Sequence, residues 1–565
     1  MKNKQFKVSI LLLLIILFLI MRVILLFHSD YIFHPEECFF RTSSYDILNG
    51  PSLSLLDYQL ESYGGGFLVV NILALPIALL FGISVFSLKL IGLAFSVGIL
   101  VLIFKICNDF FNRKTAIITS LIYIFAIPYF SISNLITIGN YLESIFLHLL
   151  IIYLLFDIIY NKNNKHEKNK NNKNNNKYVK KIILLGLIGG FSLWFYYSTI
   201  IIFAVCFLFL LIIKRNIFSK KNFILFIIFF LIGFSPWIIS SSLNNFENTT
   251  RLEQIINVHM FEKENLHEIS IKATKLVTYY IPSSFYYSDF SFISKQVFSY
   301  IFYYIFLSFF LLSIFLASKK ESSKKELLFI TYILIYVLAF IITELKVNYE
   351  YNNLWNAVNS MSHTHIFLLQ PFMILIVGIG ISKIINNIKT KKIGIILLII
   401  VLLIGLIGNI NLLNKEFDKD IFKEELCYEL LGKSVGWKVL KDNKKTSDVC
   451  FKLNNSEFIN GCHSGIGETS FFEGNLTKAI QICESMNSSY KSYCYEGMGQ
   501  TIAARENPTT INEECNLVNK KYIPNCFSGV GREFQNAAGN KENVDLCVKY
   551  VDKENQIYCI NGAKK

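Results

Sequence analysis

Charge is what this sequence has least of. Only 17% of its 565 residues are Asp, Glu, Lys or Arg, while 53% are hydrophobic and 51 are Phe. A soluble globule cannot hide that much apolar surface, so the composition excludes a water-soluble enzyme and points to a polytopic membrane protein. Acids are scarcer than bases, and the net charge is +14. A nucleic-acid partner is nevertheless excluded, because the lysines gather in short loops between apolar runs. The richest loop, "NKNNKHEKNKNNKNNNKYVKK" at 161–181, is low-complexity Asn/Lys sequence that cannot bury a core. It reads as a solvated cytoplasmic loop.

Also missing is a small-residue cleavage site after the first apolar run, 8–27, which follows "MKNKQFK". The run is long for a secretory signal, so it reads as a membrane anchor with a cytoplasmic N-terminus. Arg22 within it is expected to snorkel or to face protein. Acids at mid-membrane depth and an inverted repeat among the spans are absent too, which argues against a lipid or solute transporter.

Runs long enough to span fall near 8–27, 85–106, 115–133, 143–160, 182–198, 199–213, 223–242, 296–316, 327–344, 365–385 and 393–414. One further stretch, "GFLVVNILALPIALLFG" at 66–82, is short and contains Pro76. If it does not cross, alternation puts every basic loop inside: 112–114, the Asn/Lys tract, 214–221, 318–325 and 386–392. If it crosses, most of them move outside. The stretch is therefore read as re-entrant or interfacial, leaving eleven spans and an extracytoplasmic tail after about residue 415. The loop from His28 to Gly65 then lies outside with Asp30, Glu36, Glu37, Asp46, Asp57 and Glu61 against a single base, Arg41. The next outer loop, 134–144, carries Glu143 at the mouth of a membrane helix.

The tail repeats. "CHSGIG" (462–467), "CYEGMG" (494–499) and "CFSGVG" (526–531) recur every 32 residues, and "CING" (559–562) begins another copy. A period in the low thirties implies stacked helical hairpins, with small residues where neighbouring helices approach. Cysteines two to four residues apart, which zinc requires, are absent. The fixed step of 21 and then 11 or 12 residues instead suggests disulfides across each turn: Cys450–Cys462, Cys483–Cys494, Cys515–Cys526 and Cys547–Cys559. Cys427, in a degenerate copy "CYELLG", is left over. No catalytic constellation lies in this tail, which reads as an interaction or lid module.

The order of features before residue 415 resembles the GT-C glycosyltransferases, within them the protein O-mannosyltransferase and aminoarabinose-transferase branch. "HPEE" (34–37) stands where the branch opens its first outer loop with an acidic motif, often His-Pro-Asp-Glu. "YGGGFLVVNILALPIALLFGISVFSLK" (63–89) is similar to its glycine-rich segment, apolar helix, Phe-Gly and basic residue. "FFNRKTAIITSLIYIFAIPYF" (110–130) looks like its arginine-bearing turn and following helix, and Glu143 matches the acid of its second outer loop. "GFSPW" (233–237) and "HIFLLQPFMILIVGIGI" (365–381) are similar to a Pro-bearing helix end and the start of a late span.

The fold expected is all-α: the resemblance implies a GT-C-like membrane domain over 1–415, and the repeats make 416–565 a Cys-rich helical-hairpin domain. It also implies sugar transfer from a polyprenyl-phosphate donor on the outer face of the plasma membrane, to a protein, lipid or glycan acceptor. Glu36 becomes the general base, and Glu37 and Glu143 assist through acceptor or metal contacts. Three departures stand out. Glu36 replaces the usual Asp, His365 replaces a late arginine, and "QLESYGGG" (59–66) lacks a lysine. Neutralisation of the departing phosphate is open among His34, Arg41, Lys89, His363, His365 and a divalent metal, Mg or Mn. These departures keep a catalytically inactive membrane scaffold as the alternative reading.

Overall fold

The structure is a computed structural model. It describes residues 2–27, 37, 40, 43–44, 47–48, 55–58, 65–82, 85–137, 139, 141–160, 172–212, 220–243, 266–276, 293–319, 324–343, 345–347, 358–360, 368–413, 450, 456–473, 476–504, 510–538 and 543–564. His34, Glu36, Arg41, His363, His365 and Cys427 lie outside these residues. Among the described residues the fold is α-helical, with one two-stranded antiparallel ribbon, β1 (Leu345–Val347) and β2 (Val358–Ser360), in register Leu345 to Ser360. The chain divides into two compact units: Met1–Ile32 with Ser62–Val70 and Leu88–Phe417, and Phe33–Glu61 with Asn71–Ser87 and Asp418–Lys565.

The first unit is built from helices, most of them apolar: α1 (Lys2–Leu26), α2 (Gly66–Phe81, only its start), α3 (Val85–Phe110), α4 (Arg113–Ile124), α5 (Pro128–Ser133), α6 (Leu142–Tyr160), α7 (Asn172–Phe195), α8 (Thr199–Ile212) and α9 (Lys220–Leu243), then the amphipathic α10 (Leu266–Lys275), α11 (Ile293–Lys319), α12 (Lys324–Thr343), α13 (Gln370–Asn386) and α14 (Lys391–Leu413). Among the described residues, five stretches are long and apolar enough to cross a membrane: Phe86–Phe110, Leu142–Tyr160, Tyr178–Phe195, Lys220–Ser242 and Lys391–Ile410. Shorter apolar helices cover Ile10–Leu26, Gly66–Phe81, Thr199–Ile212, Tyr303–Phe315 and Gln370–Asn386. The protein is therefore a membrane protein.

One expected span is interrupted. The run 115–133 is not one helix: α4 stops at Ile124 and α5 starts at Pro128. Pro128 has no N–H to continue the ladder and pushes Ile127 into an extended conformation, ψ 155°. The helix before it is held by Asn112, whose side chain accepts from the Thr115 N–H at 2.9 Å.

Ion pairs gather at one end of the bundle. Lys181 at the start of the apolar part of α7 meets Asp157 at the end of α6, 2.7 Å apart. Lys383 near the end of α13 meets Glu326 at the start of α12 at 2.6 Å. Lys325 donates to the Phe110 carbonyl at the end of α3 (2.6 Å) and lies over the Tyr160 ring at the end of α6. Helices α3, α6 and α13 thus finish where α7 and α12 begin. This strictly alternating arrangement puts the start of α6 and the end of α7 at the opposite end.

In the second unit, α15 (Ser456–Glu473), α16 (Leu476–Ser485), α17 (Lys491–Ala504), α18 (Ile511–Asn516), α19 (Ile523–Ala538), α20 (Asn543–Tyr550) and α21 (Gln556–Gly562) form successive hairpins. Disulfides join Cys450 to Cys462, Cys483 to Cys494, Cys515 to Cys526 and Cys547 to Cys559, the pairs expected from the cysteine step. The glycines of C-x-x-G-x-G divide their work. Those at the fourth position (Gly497, Gly529, Gly562) sit on carbonyls of the preceding long helix, Ser464, Glu496 and Ser528. Those at the sixth (Gly467, Gly499, Gly531) sit on the Cys494, Cys526 and Cys559 carbonyls of the following one. A Cβ at any of these positions would overlap backbone.

Candidate functional site

The end of the bundle opposite the ion pairs is assembled by backbone-to-backbone contacts that only glycine permits. Gly65 donates its N–H to the Trp194 carbonyl at 2.7 Å, and a Cβ there would run into the Trp194 ring. A Cβ on Gly66 would overlap the Gly139 carbonyl oxygen, and Gly139 itself has φ +77°, a left-handed conformation that glycine accepts without strain. The glycine-rich segment thus seats the start of α2 between the turn before α6 and the end of α7.

Glu143 stands in the first turn of α6 at this junction and is fully buried. The residues leading to it are fixed by side chains reaching backbone. Thr137 donates to the Leu88 carbonyl at 3.0 Å, and Ser96 donates to the Asn134 carbonyl at 2.6 Å. Tyr141 packs edge-on against Tyr196, ring centroids 5.9 Å apart. One turn further into α6, His148 lies between the Thr199 hydroxyl (3.3 Å) and the Tyr332 hydroxyl (3.4 Å), a satisfied interior contact of the kind its place on α6 suggests.

Lys89, near the start of α3 and in the same unit as Glu143, is also fully buried. Glu37 is helical and buried but belongs to the other unit. The sequence therefore supplies two buried candidates within the membrane unit, Glu143 and Lys89. Among the described residues no group of three or more His, Cys, Asp or Glu is placed to hold a metal ion. Sequence reading missed Trp194, Tyr141 and Tyr196. Aromatic residues in an apolar run carry no signal of their own, and the glycine packing partner of Trp194 lies 129 residues earlier, at Gly65. The Trp194 indole N–H is buried there with no acceptor among the described residues.

No protein-family model matches the sequence, and no curated protein is significantly similar to it. Among solved structures, the chain is similar to ArnT from Cupriavidus metallidurans bound to undecaprenyl phosphate, with 11% identity and TM-score 0.47 over 87% of this chain and 81% of that one. It is also similar to the archaeal oligosaccharyltransferase AglB from Archaeoglobus fulgidus in complex with an inhibitory peptide and a dolichol-phosphate. There the identity is 10% and the TM-score 0.47, over 80% of this chain and 60% of that one. A further structure of the Archaeoglobus fulgidus oligosaccharyltransferase, a complex with Zn and sulfate, matches at 10% identity and TM-score 0.46, over 79% of this chain and 57% of that one. The chemistry of this chain therefore has to be argued from its own residues.

Proposed function

We propose that this protein is a membrane glycosyltransferase that moves a sugar from a polyprenyl-phosphate donor to an acceptor at the outer face of the plasma membrane. The observation that carries the reading is Glu143: a carboxylate fully buried at the mouth of a membrane helix, inside a junction closed by Gly65, Gly66 and Gly139. An ionisable group in such a place is expensive and is retained for function by default. The ordered sequence motifs supply the reaction class.

In this reading the Glu36 carboxylate takes the proton of an acceptor hydroxyl or amide. The acceptor atom bonds to the anomeric carbon, and the bond from that carbon to the phosphate oxygen breaks. The lipid phosphate leaves as an anion. Glu37 and Glu143 orient the acceptor or a divalent cation, and Lys89, buried in the same unit as Glu143, is one candidate to neutralise the leaving phosphate. Exposed apolar residues along α9, such as Phe223, Ile224, Leu231 and Ile232, face hydrocarbon, where a polyprenyl chain is soluble. In the same reading, residues 416–565 serve as a lid or acceptor-binding module.

The test uses purified protein in lipid with a panel of polyprenyl-phosphate sugars, divalent metals and candidate acceptors, counting lipid phosphate released. Release that falls by about 100-fold or more in Glu36→Gln, the range for loss of a general base, supports the assignment. No release from any donor by intact protein sinks it in favour of a scaffold whose disulfide-bonded tail binds partners.

A further inference from the structure

One buried charge is used by nothing so far. Arg22, one turn before the end of α1, is fully buried. Its guanidinium lies over the Phe18 ring at 4.9 Å, and Phe18 stacks on Tyr123. Among the described residues its only hydrogen bond is from one Nη to the Tyr123 carbonyl, at a long 3.4 Å. Among the described residues, no acceptor meets the buried Nε or the other Nη, and no carboxylate pairs with the guanidinium. The next polar group along is Asn134, whose Oδ1 accepts from the Tyr123 hydroxyl at 3.1 Å while its Nδ2 is likewise buried without an acceptor.

The pattern of what is missing is informative. Arg22 Nε, Arg22 Nη1 and Asn134 Nδ2 are all donors, and the acceptors of the cluster, Asn134 Oδ1, the Asn134 carbonyl and the Tyr123 carbonyl, are all engaged. A buried cation beside surplus N–H groups lacks an anion with several acceptor oxygens. A water molecule could accept from such donors but would leave the charge uncompensated. The location narrows the choice. Tyr123 closes α4, and Asn134 opens the turn that leads to Glu143, so the cluster lies at the Glu143 end of the bundle.

We propose that Arg22 and Asn134 form a phosphate-binding site, and that its occupant is the phosphate group of a polyprenyl phosphate. The phosphate-site part stands on the donors alone. The lipid part rests on the glycosyltransferase reading. In this site the guanidinium and the Asn134 amide each donate to phosphate oxygens.

The experiment measures thermal unfolding of the full-length protein in lipid with undecaprenyl phosphate, undecaprenol or inorganic phosphate added. The native chain is expected to be stabilised by undecaprenyl phosphate and not by undecaprenol. Arg22→Met should lose that shift while its unliganded melting temperature stays the same or rises, because a charge without a counter-ion has been removed. Asn134→Asp, which still accepts from Tyr123 but brings a competing negative charge, should lose the shift as well. Stabilisation by inorganic phosphate alone, lost in Arg22→Met, would support the anion site and reject the lipid occupant. An unchanged shift in either variant overturns the site. So does an Arg22→Met chain that melts markedly lower, since Arg22 would then be structural. Sugar release measured on the same variants separates the two readings. Transfer with an unaltered KM for donor in Arg22→Met removes the site and leaves the enzyme. A lost lipid shift without any transfer by the native chain does the reverse.

Discussion

At the scale of single residues, burial decides what the sequence could only nominate. Glu143 was legible as an acid at a helix mouth, but an acid in a first turn is common because the helix dipole favours it. Full burial is what removes the ordinary explanation. Replacing it by the isosteric Gln in the lipid-phosphate release assay should lower turnover by at least 10-fold while leaving the melting temperature within about 2 °C. The stability expectation follows because the amide fills the same volume. Arg22 was visible too, but sequence offers no way to tell a snorkelling arginine from one with two guanidinium nitrogens buried without an acceptor among the described residues. The tail carries a different residue-scale prediction. Burial among α15 and the Tyr490 ring, stacked at 4.5 Å, pushes the His463 pKa below its ordinary 6.5. Protonation therefore favours the unfolded chain, so the stability tied to His463 is full above pH 6.5 and declines as the pH falls below it. Glu484 acts lower: its hydrogen bond with Lys491 holds its pKa below 4.5, and its contribution is lost as pH falls through that depressed value. Hydrogen exchange of α15 should accelerate between pH 7 and pH 5 after correction for intrinsic rates. His463→Phe should flatten that dependence; an unchanged slope would mean that some other group sets it.

At the scale of elements, hydrophobic runs located the helices well and located their interruptions badly. The run 115–133 is continuously apolar, so periodicity cannot see that Pro128 ends one helix and begins another. The ribbon of β1 and β2 was equally hidden, since three-residue strands carry no periodic signal. The tail was the opposite case. Spacing alone gave the hairpin period, the four cysteine pairs and the reason for the glycines, because a repeat states its rule several times over. What spacing did not reveal was the division between the two glycines of each copy, one serving the helix before and the other the helix after. A helical Gly→Ala change ordinarily stabilises by about 1 kcal/mol. Gly499→Ala should do the reverse, destabilising the tail by about 1–3 kcal/mol, because the new methyl overlaps the Cys526 carbonyl. Exchange protection of α17 and α19 in lipid-embedded protein measures it. Gly66→Ala should likewise disturb the turn at Gly139 and lower transfer activity with little effect on the tail.

At the scale of the whole molecule, charge and disulfides bear on which side of the membrane each end of the bundle faces. Charge placement in the sequence set the basic loops on one side, and the bundle gathers Lys181, Lys325 and Lys383 at one end, with Glu143 at the other. Helix α14 starts just after that basic end, and its last turns pack on residues 125–128, where Gly408 touches Pro128 and Asn409 donates to the Ala126 carbonyl at 2.8 Å. The chain beyond Leu413 is therefore expected to leave on the Glu143 side. Four disulfides in that tail require an oxidising compartment to persist. The proposed topology, tail outside and Asn/Lys tract inside, draws on both arguments. In intact cells, an impermeant reductant followed by an impermeant thiol label should modify the tail cysteines, while external protease should leave 161–171 uncut until the membrane is opened. The reverse pattern would invert the topology and place Glu143 on the cytoplasmic face, away from any acceptor outside the cell. Removing one bond in the same setting, Cys483→Ser with Cys494→Ser, closes no other loop and should cost the tail about 2–4 kcal/mol, the usual worth of a disulfide. If local exchange protection around α16 and α17 fell by less than 10-fold, the stacked glycine contacts rather than the staples would be holding the repeats together.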